Sequence, residues 1–129
     1  TLAAGGYIPV ISTVACGPDG ESYNVNADSV AGEMAARLKA EKLILMTDVP
    51  GILQDVEDPD SLISAMSADE AMEMVQSGRA SRGMIPKIEA CVAAVRGGVE
   101  RAHIIDGRRP RALLMEIFTD TGIGTMITA

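Results

Sequence analysis

The sequence predicts an α/β fold, an open three-layer αβα sandwich built on a mostly parallel sheet. Continuous aliphatic runs such as Leu43-Ile44-Leu45-Met46 suit strands buried on both faces. Alanine-rich segments with apolar residues four apart lie between such runs, as expected of helices that carry the chain from one parallel strand to the next. Hydrophobic residues reach 47% of the 129 residues but aromatic ones only 2%, so the core must be aliphatic, unlike that of an aromatic-rich sandwich.

Taken in order, residues 8–14 read as a buried strand. Gly17-Pro18-Asp19-Gly20 is a dense turn signal leading to a second extended piece at residues 23–25, which makes the opening hairpin-like. From Ser29 onward, Val30, Met34 and Leu38 fall four apart with alanines between them, predicting a closely packed helix with Asp28 at its N-cap. Residues 42–47 are predicted to be a fully buried parallel strand, because their apolar run does not alternate. Residues 55–60 form an acidic, turn-rich loop. Ser67-Ala68-Asp69-Glu70 has capping-box spacing and opens a helix carrying Ala71, Met74 and Val75, with Gly78 as its stop. A helix over residues 86–96 follows, with Ile88, Cys91, Val92 and Val95 on one face and Gly97-Gly98 closing it. A strand at 101–105, a short helix over 113–118, the Gly122-Ile123-Gly124 turn and a strand at 125–127 complete the chain. No repeat, low-complexity tract or linker divides it, and its length suits one domain.

The formal net charge is −7, so the field around the protein repels polyanions; neither nucleic acid nor an anionic membrane surface is expected as a partner. A local cationic site for one small anion remains open. Cys16 and Cys91 lack metal-ligand or disulfide spacing and there is one histidine, so no metal site is predicted and the cysteines are read as small hydrophobes in a reducing cytoplasm. No apolar stretch has the length of a membrane span, and no charged-then-apolar leader opens the chain. The start at Thr1, without methionine, suggests truncation or processing. An aliphatic surplus with mean hydropathy +0.20 in a small acidic chain predicts apolar surface that packs against something else.

Three segments can carry chemistry. Lys87, in Gly83-Met84-Ile85-Pro86-Lys87, stands where a helix begins and where free N–H groups and the positive dipole end favour an anion; a solvated lysine at a helix end is the plain alternative. Asn24-Val25-Asn26-Ala27-Asp28 runs into the first helix; capping alone accounts for Asp28, and Asn26 serves a turn as readily as a ligand. Asp48, Val49, Pro50, Gly51, Ile52 and Leu53 follow the end of a strand, the edge at which open α/β sheets bind ligands, although Asp48 can equally cap a turn and Pro50-Gly51 can be a simple bend. In the last third, His103-Ile104-Ile105-Asp106-Gly107-Arg108 is followed by Glu116-Ile117-Phe118-Thr119-Asp120 and Gly122-Ile123-Gly124-Thr125. A histidine beside a strand is ordinarily structural, and Glu116 ordinarily a helix's polar face.

Read together and in this order, these motifs resemble the carboxyl-terminal half of the N-acetylglutamate kinases, a branch of the amino acid kinase family. The likeness covers nearly the whole chain. It implies that residues 1–129 are an ATP-binding lobe and that an amino-terminal lobe, with the acetylglutamate pocket, a second catalytic lysine and the dimer surface, is missing. It implies MgATP as co-substrate, with no tightly bound cofactor, and transfer of the γ-phosphoryl group to the side-chain carboxylate of N-acetyl-L-glutamate in arginine biosynthesis. By the resemblance Lys87 stabilises the transferring phosphoryl group, Asp28 orients the catalytic lysines and Asn24 contacts N-acetyl-L-glutamate. The stretch from Asp48 to Leu53, with Arg79, Ala80 and Ser81, binds nucleotide. Arg82 departs from the family pattern, which more often has glycine or a small or acidic residue there. His103, Glu116 and Gly122 match the feedback site of the arginine-inhibited branch. The resemblance further implies a cytoplasmic homo-oligomeric parent and leaves the PII signal protein open as a partner. A non-catalytic arginine-sensing or PII-docking module is the alternative, and the fragment alone is expected to be inactive as a kinase.

Overall fold

The computed structural model describes residues 2–120 and 122–129; Thr1, with the expectation attached to it, and Thr121 lie outside these. Strands β1 (Val14–Cys16) and β2 (Ser22–Asn24) form a two-stranded antiparallel hairpin closed by the predicted turn. Helix α1 (Ala27–Leu38), strand β3 (Lys42–Thr47), strand β4 (Ala65–Ser67) and helices α2 (Ala68–Gln76) and α3 (Ile85–Arg96) follow, then β5 (Arg101–Asp106), α4 (Ala112–Phe118) and β6 (Thr125–Thr128). The main sheet has the order β3-β5-β6-β4. β5 pairs parallel with β3, β4 parallel with β6, and β5 and β6 run antiparallel, which makes the sheet mostly parallel.

The period of two along β5 divides the layers. Ala102 and Ile104 point into the large core shared with Leu43, Leu45 and helices α1 to α3, whereas Ile105 packs on the opposite face with Ala112, Met115 and Ile44. That second outer layer is thin, being α4 alone. The capping box of α2 forms as predicted: the Ser67 side chain accepts from the Glu70 N–H and the Glu70 carboxylate accepts from the Ser67 N–H.

Four expectations need correction. Residues 8–14 are not a buried strand: Ile8 is 91% exposed and Val10 96%, and the strand is only Val14–Cys16, in its own hairpin. An aliphatic run becomes a strand only where a ladder partner and a covering layer meet it, and Pro9 also removes one donor. The N-cap of α1 is Asn26, whose side chain accepts from the Ser29 N–H, so Asp28 is released for another contact. α1 buries Gly32 and Ala35, while Leu38 is exposed, because the helix packs closely against α3 through small residues. β3 is not fully buried: Leu43 and Leu45 are inside but Met46 is half exposed, since β3 is an edge strand and its second face has little cover. The structure also adds β4, a three-residue strand too short for a periodic signal.

The α1–α3 contact is close-packed through glycine and alanine. A Cβ added at Gly32 would lie 2.6 Å from the Ala90 carbonyl oxygen, and one at Gly97 would lie 2.5 Å from the Ala36 Cβ. Residue numbers rise together along these contacts, so the helices run parallel and their N-termini lie together. Gly32→Ala is therefore expected to lower stability: an overpacking cost of about 1–3 kcal/mol exceeds the helix-propensity gain of about 1 kcal/mol. Denaturant unfolding of the variant beside the parent chain measures this.

Candidate functional site

At the shared N-terminal end of these parallel helices, Lys87 in the first turn of α3 meets Asp28 in the first turn of α1. The Lys87 Nζ donates to Asp28 Oδ2 at 2.9 Å, and both side chains are about a fifth exposed (21% and 19%). An ammonium carries three donors. One is spent on Asp28, which fixes the direction of the side chain and leaves two for an incoming anion. α3 has no side-chain N-cap, and its positive end adds to the same field. One turn further along α3, Cys91 lies fully buried beneath the pair; burial, and secondarily the Asp28 charge, push its thiol up to about 12.

The fold also brings two distant predicted segments into one cavity of about 150 Å³. Val49, Pro50, Gly51, Ile52 and Leu53 form one wall and Arg79, Ala80 and Ser81 another, with Met74 and Met84 between them. Met84 stands just before α3 and Lys87 in its first turn, so the cavity and the cation share one helix start. The lining is chiefly apolar, which suits a flat heterocycle. Gly51 is required at its place. Its φ is +152°, and a Cβ there would meet the Thr125 hydroxyl at 2.7 Å. Asp48 is not in the lining; it is exposed and accepts a hydrogen bond from the Thr47 hydroxyl at 3.3 Å. Asn24 ends β2 on the exposed hairpin, four residues before Asp28, and Arg82 is exposed.

The other face of the sheet holds a larger cavity, of about 620 Å³. Strand register builds its floor: Ile44 aligns with His103, His103 with Met126, and Met126 with Ala65, so one row across four strands lines it. His103, Glu116 and Gly122, predicted together, all line it. The His103 Nδ1 and Glu116 Oε1 are 2.7 Å apart, with both side chains buried, while Glu116 Oε2 accepts from the Ile123 N–H at 2.7 Å and the Gly124 N–H at 3.2 Å. Lys42, Arg101 and Asp120 add charge around the rim. At the far end of β5, Asp106 accepts from the Arg108 side chain and N–H, and these bonds hold its carboxyl down to about 2.

The family model of the amino acid kinase family matches residues 1–106. This chain belongs to the amino acid kinase family. The acetylglutamate kinase of Nostoc sp. is 61% identical over 127 residues, which are 98% of this chain and 43% of that protein. That of Moorella thermoacetica is 55% identical over the same shares. The chain thus spans about two-fifths of the length of the curated relatives it matches. Among solved structures, N-acetylglutamate synthase from Neisseria gonorrhoeae complexed with coenzyme A and L-arginine superposes with a TM-score of 0.82 at 34% identity, over 92% of this chain and 27% of that one. The isopentenyl phosphate kinase of T. acidophilum, at 23% identity, TM-score 0.69 and coverage of 96% and 49%, shares the fold.

Of the predicted residues, Lys87 meets Asp28, and residues 49–53 meet residues 79–81 without Asp48. His103, Glu116 and Gly122 meet on the opposite face, and Asn24 stands apart. Sequence reasoning passed over Thr125, whose buried hydroxyl accepts from the Ile52 N–H at 2.8 Å and donates to the Ile63 carbonyl at 2.6 Å. A threonine in a four-residue β run carries no signal of such a role. Among the described residues no group of three or more His, Cys, Asp or Glu is placed to hold a metal, and no helix is long and apolar enough to cross a membrane.

The buried Cys91 thiol gives a pH prediction. Its folded pKa, about 12, exceeds the unfolded value of roughly 8.5. Its contribution to stability is complete below the unfolded value and falls as pH rises toward the folded one. The unfolding midpoint is expected to drop more steeply from about pH 8 to about pH 11, where an unfolded thiol ionises, in the parent than in Cys91→Ala. The exposed Cys16 should react with a thiol reagent while Cys91 stays protected.

Proposed function

We propose that this chain is the ATP-binding part of a cytoplasmic N-acetylglutamate kinase, and that the longer protein transfers the γ-phosphoryl group of MgATP to the side-chain carboxylate of N-acetyl-L-glutamate. The observation that carries this reading is the Lys87–Asp28 pair in the first turn of α3, the helix that starts from Met84 in the lining of the cavity walled by residues 49–53 and 79–81. Phosphoryl transfer demands little covalent work of a protein; it requires cations and amide donors held around the moving charge. The base of the nucleotide enters the apolar cavity, and its phosphates extend toward the start of α3. The acceptor carboxylate oxygen attacks the γ-phosphorus and ADP departs. The two free donors of Lys87 meet the charge on the equatorial oxygens, while Asp28 holds the ammonium in line. The remainder of the protein supplies the acetylglutamate pocket and a second cation, with Asn24 reaching toward the acceptor. Names of the curated relatives, at 54–62% identity, support this choice of substrate.

Arginine, as feedback inhibitor, occupies the cavity of His103, Glu116 and Gly122. Carboxylates suit a guanidinium, and the cations Lys42 and Arg101 suit the ligand's own carboxylate. Support comes from the trio's position in one cavity and from the arginine complex of the similar synthase.

Calorimetric titration of the chain with a non-hydrolysable MgATP analogue should show saturable binding, weakened about tenfold or more by Lys87→Ala, since a charge-assisted hydrogen bond contributes roughly that factor. In the whole protein the same substitution should slow turnover by about 10²–10³. Arginine binding with no nucleotide binding would instead favour the non-catalytic sensing module.

A further inference from the structure

The two cavities lie on opposite faces of the sheet, yet one short turn touches both. Residues 122–125 begin at the His103–Glu116 cavity: Gly122 lines it, and the Ile123 and Gly124 N–H groups both donate to Glu116 Oε2. The same turn ends on Thr125, fully buried, whose hydroxyl receives the Ile52 N–H and donates to the Ile63 carbonyl. Ile52 is part of the wall of the other cavity. The turn has little slack. A Cβ on Gly124 would collide with the Ile104 carbonyl oxygen, and one on Gly122 would stand 2.8 Å from Glu116 Oε2.

We infer that Thr125 is a positioning residue for the wall of residues 51–53, and that the turn of residues 122–125 links the Glu116 carboxylate to that wall. A cation that draws on the Glu116 carboxylate changes its hold on two N–H groups of the turn, and a shift of the turn moves the hydroxyl that fixes Ile52. Thr125 is suited to this place because a hydroxyl both accepts and donates, so it closes the Ile52 N–H and the Ile63 carbonyl at once. The link rests on geometry alone; its use in regulation rests on the nucleotide and arginine readings of the two cavities.

Coupling between sites is established by energetic non-additivity and not by contiguity. The test is therefore amide hydrogen exchange at Ile52 in the ligand-free chain, with the Ala94 amide in α3 as the reference for global loosening. Thr125→Val keeps the shape and removes the hydroxyl; Thr125→Ser restores it. Thr125→Val is expected to speed exchange at Ile52 about tenfold relative to Ala94, the factor set by one hydrogen bond of ordinary net strength. Thr125→Ser should return it to the parent rate. Glu116→Gln should speed Ile52 exchange in the parent and add nothing in Thr125→Val. Additive effects, a serine variant that behaves like valine, or an Ile52 rate untouched by Glu116→Gln would each overturn the link. Should Thr125→Val fail to fold, the Glu116→Gln and Thr125→Ser rates at Ile52 relative to Ala94 decide alone. A parallel titration with the MgATP analogue separates the two claims: no binding by the parent counts against the kinase reading, whereas the exchange rates count for or against the link.

Discussion

The close parallel packing of α1 on α3 is the constraint on which the candidate site depends. A side chain at Gly32 has no room against the Ala90 carbonyl, so the two helix axes approach more closely than ordinary side chains allow. That approach places the first turns of both helices side by side, and only then can a short aspartate reach the Lys87 ammonium at 2.9 Å. The pair is partly screened, so its direct contribution to stability is small, on the order of 1 kcal/mol or less. Its value is directional. It aims a cation that also sits at the positive end of a helix, where an anion would arrive.

The sheet separates two kinds of chemistry by strand alternation. Along β5, Ala102 and Ile104 anchor the three helices of one face, while His103 faces the cavity on the other. Neighbouring residues one position apart thus serve opposite surfaces. Register extends this across the sheet, aligning Ile44, His103 and Met126 under a single cavity. The aliphatic core that this requires is the one the composition demands, with alanine, isoleucine, valine and methionine filling the space that aromatic residues fill elsewhere.

Local signals were legible where they were self-contained. The capping box at Ser67 and Glu70, the limits of β3 and α3, and the glycine stops after α2 and α3 follow from nearest-neighbour chemistry. Motif likeness, more than periodicity, pointed to Lys87, to the segments of the small cavity and to the His103 trio. What escaped the sequence was what depends on distant partners. Asp28 reads as a cap until Asn26 takes that place, and Leu38 reads as core until Gly32 and Ala35 turn out to face α3. Residues 8–14 have the composition of a buried strand, yet only Val14 joins a ladder, in the exposed hairpin, and Ile8 and Val10 stand in solvent. Thr125 gave no sign because its importance lies in two backbone groups more than sixty residues away in sequence.

The most direct measurement is a double-mutant cycle between Asp28→Asn and Lys87→Met, read as affinity for a non-hydrolysable MgATP analogue. If Asp28 acts by aiming Lys87, each single change weakens binding, and Asp28→Asn costs nothing further once Lys87 is gone. Losses that simply add would mean that Asp28 and Lys87 act independently, and would contradict the role assigned to the α1–α3 crossing.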